Sequence, residues 1–374
     1  MNSKVCIIGG GLAGLTAAIH LRLDGFEVVV IEKNEYPQHK VCGEYVSNEV
    51  KAYLSSLGLS NFLKQTQAIN KLQLSNVDGQ LFSAELPLGG FGVSRFALDH
   101  ALFKHAKRLG IEVIKAKVTH FESTHTGFKT YFKDSCLNSK FLLLAHGKRS
   151  NLDKKLNRAF IQKKSRWIGV KVHYNLDEFP ANEVHLHNFN GGYCGLSKTE
   201  SKAVNCCYLV SAEVFKQYKS LDDFNHKVLK NNKHLNQFFE KANSIFESPL
   251  AIAQVSFAKK STSNFNALML GDAAGLIHPL CGNGMAMAIH SAKIAAESVK
   301  LVDQNSLQMD QLSTYYNQQW QYSFKKRLYY GRIFQKILLN QRLTTIGLNL
   351  LQPLPFLLPK LVRLTHGQPI PAYD

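Results

Sequence analysis

An α/β fold with two interleaved domains is predicted by three observations. First, the apolar run Val5-Cys6-Ile7-Ile8 leads into Gly9-Gly10-Gly11-Leu12-Ala13-Gly14, then into helically spaced apolar residues to Leu23 and a second apolar run, Phe26 to Ile31. Second, short apolar runs that empty into glycine-bearing loops recur at Phe141–Leu144 and Ala267–Leu270. Third, the segments between them alternate with a period of two. Buried parallel strands read as continuous apolar runs, whereas strands exposed on one face alternate.

The first unit is strand, helix, strand. Asp24-Gly25 stops the helix and Glu32 closes the second strand, a length that suits a dinucleotide-binding βαβ unit. Leu98 to Leu109 has the spacing of an amphipathic helix and precedes a strand at Ile111–Ile114. A further helix is expected from Gly284 to Val299. These parts make a Rossmann-like domain from residues 1–70, 95–160 and 255–300. Residues 71–94 and 161–254 are assigned to an antiparallel β-sheet domain for substrate. Its hairpin spans Leu72–Asn76 and Leu81–Leu86 around Asp78-Gly79. Its other strands are expected at Trp167–Tyr174, Val184–His187 and Asn205–Val210, with a helical stretch at Leu221–Lys241. Residues 301–374 form a helical, basic tail in which Arg332 to Leu351 reads as one amphipathic helix.

The glycine motif carries the first functional signal. Gly9 permits the tight turn, Gly11 lets backbone approach a pyrophosphate, and Gly14 allows close helix–strand packing. The helix N-terminus, through Leu12 and Ala13, offers free N–H groups and a positive dipole end. Glu32, 18 residues past Gly14 and followed by Lys33, accepts the ribose hydroxyls, which favours an adenosine ribose without a 2′-phosphate. FAD and NAD both satisfy this motif.

A second motif separates them. Leu270-Gly271-Asp272-Ala273-Ala274-Gly275 is followed by His278-Pro279-Leu280-Cys281-Gly282-Asn283-Gly284-Met285 and a small-residue helix. Asp272 can take a ribityl hydroxyl, and the loop Gly282–Met285 can stabilise a developing anion with helix N–H groups. This pair resembles the FAD signature of the p-hydroxybenzoate hydroxylase-like flavoproteins, which include aromatic hydroxylases, flavin halogenases and geranylgeranyl reductases. The resemblance implies FAD as cofactor, Arg95 of Gly92–Asp99 against it, and Val118 of Lys117-Val118 near its adenine. Without a second glycine motif, NAD(P)H or another external donor would supply electrons from outside the fold.

Within that group, Cys42-Gly43 matches a pair that the geranylgeranyl reductases carry beside the flavin. The substrate motif of that branch is reduced here to Tyr193 and Lys198. His146 stands where the hydroxylases carry Asp, and the tryptophan motif of the tryptophan halogenases is absent. The balance leans to hydroxylation of an aromatic or lipid-like substrate by reduced flavin and oxygen. Double-bond reduction is the alternative, followed by halogenation or a non-catalytic flavin-binding, electron-transfer role. Cys42 and His278 are the candidate proton-handling residues, and Tyr193 the candidate substrate contact.

Composition bounds the rest. The 374 residues, 45% hydrophobic and 19% charged, can bury a core. Lys and Arg number 45 against 27 Asp and Glu, a formal charge of +18 that suits either acidic partners or a solvated basic surface. Seven cysteines without a CxxC pair argue against a disulfide framework, and no metal site is expected. A strand beginning at Val5 is not expected to follow a signal peptide, so the chain reads as cytoplasmic. From Gln311 to Tyr373 there are eight Lys and Arg and no acid. That tail either meets an anionic membrane or packs on the nucleotide domain with its charges in water. No aromatic–basic module points to nucleic acid.

Overall fold

The computed structural model describes residues 4–338, 340–351 and 356–373. Side chains are described at most of these positions, those of 338, 341, 342, 348, 350 and 351 excepted. The first sheet places β1 (Lys4–Ile8) at its centre, with β2 (Glu27–Glu32) on one side and β10 (Phe141–Leu144) on the other, all parallel. β6 (Glu112–Lys115) extends it beyond β2, and β18 (Ala267–Met269) beyond β10. β17 (Ser263–Asn264) is an antiparallel edge. Helices Leu12–Leu23, Arg95–Arg108 and Gly284–Asp303 pack against this sheet.

The second sheet has the order β15-β11-β14-β13-β12-β4-β5-β3. In chain order these are β3 (Tyr45–Ser47), β4 (Gln67–Ser75), β5 (Leu81–Gly92), β11 (Trp167–Asn175), β12 (Glu183–Phe189), β13 (Gly192–Lys198), β14 (Val204–Ser211) and β15 (Asn243–Ser244). β16 (Leu250–Ala253) pairs with β11. Every pairing is antiparallel except β4 with β12, where the two passages of the chain meet side by side rather than through a hairpin. A third sheet of β7 (Val118–Thr124), β8 (Gly127–Phe132) and β9 (Ser135–Ser139) was not anticipated; its strands are short and its hairpin turns, Thr124–Gly127 and Phe132–Ser135, are weakly marked.

Two predicted helices are broken by asparagine. The stretch 221–241 divides into Leu221–Lys227 and Lys233–Lys241, because the Asn232 side chain accepts from His234 N and caps the second helix. Arg332 to Leu351 is not one helix: Leu312–Leu338 ends, and Gln341–Leu351 restarts where Asn340 Oδ1 accepts from Leu343 N. The apolar, proline-broken stretch 350–362 lies partly outside the described residues; Pro359 falls in the first turn of helix Leu357–Arg363, where a missing N–H loses nothing. Tyr316, Trp320 and Phe324 of the long helix are buried in the main core, and Tyr316 Oη donates to Met269 O at 2.6 Å. Among the described residues no helix is long and apolar enough to cross a membrane.

Candidate functional site: a glycine cradle joined to an apolar cavity

Three glycines of the first motif do three different things. Gly9 has φ +106° and lies so close to the end of β10 that a Cβ would stand 2.4 Å from Ala145 O. At Gly14 a Cβ would stand 1.9 Å from Gly9 O, so the helix is seated directly on the turn. At Gly11 the nearest atoms to a Cβ are Arg95 Nη2 at 3.7 Å and Lys40 Nζ at 3.8 Å. Backbone is open there, beneath two cations. The helix begins at Gly11 with no side-chain cap, which leaves its first N–H groups free.

The two cations share one carboxylate. Arg95 donates Nε to Asp99 Oδ1 at 2.8 Å and Nη2 to Oδ2 at 2.7 Å, and Lys40 Nζ donates to Oδ2 at 2.8 Å. Burial raises the Asp99 carboxyl, but Arg95 and Lys40 outweigh it and hold it below the usual range. Two positive charges against one negative leave a net positive charge beside Gly11, matched to a diphosphate. Glu32 Oε2 accepts from Gly10 N at 2.7 Å and Oε1 from Asn34 N at 2.9 Å. Each oxygen keeps acceptor capacity for a ribose hydroxyl.

The second motif closes the other side. Gly282 has φ +62°, in the left-handed region that favours glycine, and its Cα faces the Tyr45 ring. Helix Gly284–Asp303 starts without a side-chain cap, so its free N–H groups point out of the loop. Asn283 turns away: Nδ2 donates to Glu49 Oε1 at 2.9 Å, and Oδ1 accepts from Arg327 Nη1 at 3.1 Å.

The loop 40–44 is held carbonyl by carbonyl from the second sheet and its neighbours. Lys171 Nζ donates to Lys40 O, Lys148 Nζ to Val41 O, Asn205 Nδ2 to Cys42 O and Ser197 Oγ to Gly43 O, at 3.1 to 3.3 Å. Glu44 anchors the end of the loop. Its Oε1 accepts from Lys171 and from Arg95 N, and its Oε2 pairs with His173 Nε2 at 2.7 Å. Burial raises the Glu44 carboxyl, and the His173 and Lys171 contacts more than reverse this. Cys42 is therefore presented from a fixed backbone.

A cavity of about 1400 Å³ runs through all of this. Of the residues singled out from sequence, Gly9, Gly11, Leu12, Ala13, Glu32, Lys33, Cys42, Arg95, Val118, Tyr193, Asp272, Gly282, Gly284 and Met285 line it. Gly14 and Asn283 stand behind its wall. His278 also stands behind it, packed between Trp167, Tyr193 and Phe257, with neither ring nitrogen partnered among the described residues. Burial lowers its pKa to about 3, so it stays neutral. His146 lies at the cavity with Nε2 3.0 Å from Asp153 Oδ1. Away from the glycines the wall turns apolar: Leu72, Leu74, Leu86, Val184 and Leu186 from the second sheet, then Leu276 and Leu280, then Phe334, Ile337, Leu357, Leu358, Leu361 and Val362 from the tail. Sequence reasoning missed Lys40, Lys148, Lys171, His173 and Asn205. Lys40 and Glu44 flank the Cys42-Gly43 pair, which was the nearest signal in the sequence.

The space exceeds the ~300–1,000 Å³ of a single small-molecule pocket, which leaves room for cofactor and substrate together. The open backbone at Gly11, the cations above it, the acceptor carboxylate of Glu32 and the uncapped helix over Gly282 fit FAD. A mostly parallel nucleotide sheet and a mostly antiparallel sheet lining one such cavity suit a flavoprotein. Residues 2–321 match the profile described as FAD binding domain, and the chain belongs to that family, within the p-hydroxybenzoate hydroxylase-like superfamily. It is an FAD-dependent oxidoreductase. It is 23% identical to the menaquinone reductase of Mycobacterium tuberculosis, over 79% of this chain and 76% of that one. It is 26% identical to digeranylgeranylglycerophospholipid reductase 1 of Methanosphaera stadtmanae, over 87% and 82%. Its fold is that of the flavin-dependent brominase Bmp2, with a TM-score of 0.80 at 17% identity over 98% and 93%.

Proposed function

We propose that the protein adds hydrogen across a carbon–carbon double bond of a long apolar, polyprenyl-type substrate. The apolar arm of the cavity carries this reading: it runs from the fixed loop at Cys42 to the tail helices and offers a chain-shaped ligand hydrocarbon contact throughout. This moves double-bond reduction ahead of hydroxylation. The pinned Cys42-Gly43 loop and the similarity to the menaquinone and digeranylgeranylglycerophospholipid reductases support the same order. Bound FAD, once reduced by an external donor, supplies a hydride. The chain's own residues seat the substrate between the leucines of β4, β5 and the tail, exclude water from the junction, and hold a proton on Cys42 Sγ for the second carbon. Tyr193, whose hydroxyl burial keeps neutral, packs against the substrate at that junction. Hydroxylation of a lipid-like phenol is the second reading, favoured by Tyr45 and Tyr193 on the wall, where an aromatic head group can pack.

The test is product mass. Protein reduced under anaerobic conditions is incubated with a polyprenyl quinone or a geranylgeranyl lipid. A gain of paired hydrogens without oxygen, kept after any quinol is reoxidised to quinone in air, supports reduction. A gain of one oxygen atom, in air only, supports the second reading. Unchanged substrate under both conditions overturns both.

A further inference from the structure

The apolar arm of the cavity ends against two helices that, among the described residues, keep apolar side chains exposed on the side away from it. In Gln341–Leu351, Thr344 and Gly347 line the cavity, while Leu343 and Ile346 are 47% and 56% exposed. In the adjoining segment Leu357, Leu358, Leu361 and Val362 line the cavity, while Phe356 is 57% exposed and Lys360 and Arg363 lie in solvent. Among the described residues, one layer of helix thus stands between the apolar end of the cavity and these exposed side chains.

The preceding helix, Leu312–Leu338, adds a second observation. Tyr322, Lys325, Tyr329, Arg332 and Lys336 are all exposed. Their spacing of three, four, three and four residues places them on one face of a helix. Tyrosines interleaved with lysine and arginine are the composition of a membrane–water interface. No described residue from 311 to 373 contributes an acid to oppose these charges, and among the described residues none of Lys325, Lys326, Arg332, Lys336, Lys360 and Arg363 forms an ion pair.

We propose that this face docks on an anionic lipid bilayer, with Leu343, Ile346 and Phe356 entering the interface and the cations meeting lipid phosphates, so that a lipid substrate passes from the bilayer to the apolar arm. The occupant follows from charge and continuity: from 311 to 373 the described residues carry cations and no acid, leave Leu343, Ile346 and Phe356 exposed, and line the apolar end of the cavity. The passage of substrate rests on the function proposed above; the docking does not.

The test uses the full-length flavoprotein and no substrate. It is sedimented with vesicles of phosphatidylcholine alone and of phosphatidylcholine containing phosphatidylglycerol. Binding to the second kind and weak binding to the first is expected. The variant Lys325→Gln/Lys326→Gln/Arg332→Gln/Lys336→Gln should bind the anionic vesicles at least tenfold more weakly, given roughly fivefold per cation near such a surface. The variant Leu343→Ser/Ile346→Ser/Phe356→Ser should lose binding while retaining its flavin spectrum, which shows that it is folded. Wild-type protein left in the supernatant with anionic vesicles, or a quadruple variant that binds as wild type does, overturns docking. Tight vesicle binding by a protein that fails to convert polyprenyl lipid overturns the proposed reaction and leaves docking standing.

Discussion

Arg327 donates to Glu49 Oε1 at 3.1 Å across 278 residues of chain, and the same guanidinium nitrogen reaches Asn283 Oδ1. The tail helix is thereby tied to the loop that caps the flavin side of the cavity. Glu49 is fully buried and Arg327 nearly so. Their neighbourhood is sealed by the last residues of the chain, where a Cβ at Gly367 would stand 2.0 Å from both side chains, and Ile370 N donates to Glu49 O.

Arg327→Met should therefore destabilise the protein by about 3–5 kcal/mol, because it strands a buried carboxylate. Thermal melting and flavin retention should fall together. Adding Glu49→Gln should recover part of the loss, since the uncompensated charge is removed. A single variant that melts as wild type does would show that the pair is not stabilising.

Gly11 and Gly14 predict opposite outcomes for one methyl group. Gly11→Ala meets no atom closer than 3.7 Å, so the protein should fold and melt normally. The methyl occupies the diphosphate approach, and FAD affinity should drop at least tenfold, about 1.4 kcal/mol. Gly14→Ala drives the methyl to 1.9 Å from a backbone oxygen and should destabilise by roughly 1–3 kcal/mol or more, as overpacking does. Circular dichroism and flavin titration distinguish the two.

Asn205→Leu releases the carbonyl of Cys42 while keeping bulk in the sheet. A shift of about 1 Å in a reacting group can reduce turnover about a hundredfold. The turnover number should fall far more than the Michaelis constant rises, with the flavin spectrum largely kept.

His278 sets an acid-sensitive window. Burial lowers its pKa to about 3, against about 6.5 when unfolded. The unfolded chain binds a proton first, so stability is lost as pH falls from about 6.5 to about 3 and levels off below that. His278→Phe, set among Trp167, Tyr193 and Phe257, should flatten this part of the pH–stability curve by a few kcal/mol. Urea melts at pH 7 and pH 4.5 check the difference.

The βαβ unit and its glycine spacing were legible because their determinants are local. Strand, turn, helix and second strand fall within about 30 consecutive residues, and Gly14 answers to Gly9 of its own turn, although Gly9 and Gly11 also meet Ala145, Arg95 and Lys40 from distant parts of the chain. The strands at 167–175, 183–189 and 204–211 showed their period, yet β13 (Gly192–Lys198) did not, since Gly192, Cys194 and Gly195 blur its alternation. The three-stranded sheet at 118–139 was missed for want of marked turns.

What the sequence determined by itself was the α/β class and a glycine-bearing βαβ unit suited to FAD, because hydrophobic period and glycine spacing act over neighbouring residues. Tertiary structure alone decided which groups converge on Cys42, that Lys40 joins Arg95 on Asp99, and that the tail is a wall of the substrate cavity. These depend on burial pairing groups from distant parts of the chain, 59 residues apart for Lys40 and Asp99 and 163 for Cys42 and Asn205. A charge taken out of water must find its partner wherever the fold places it, and no period in the chain records that meeting.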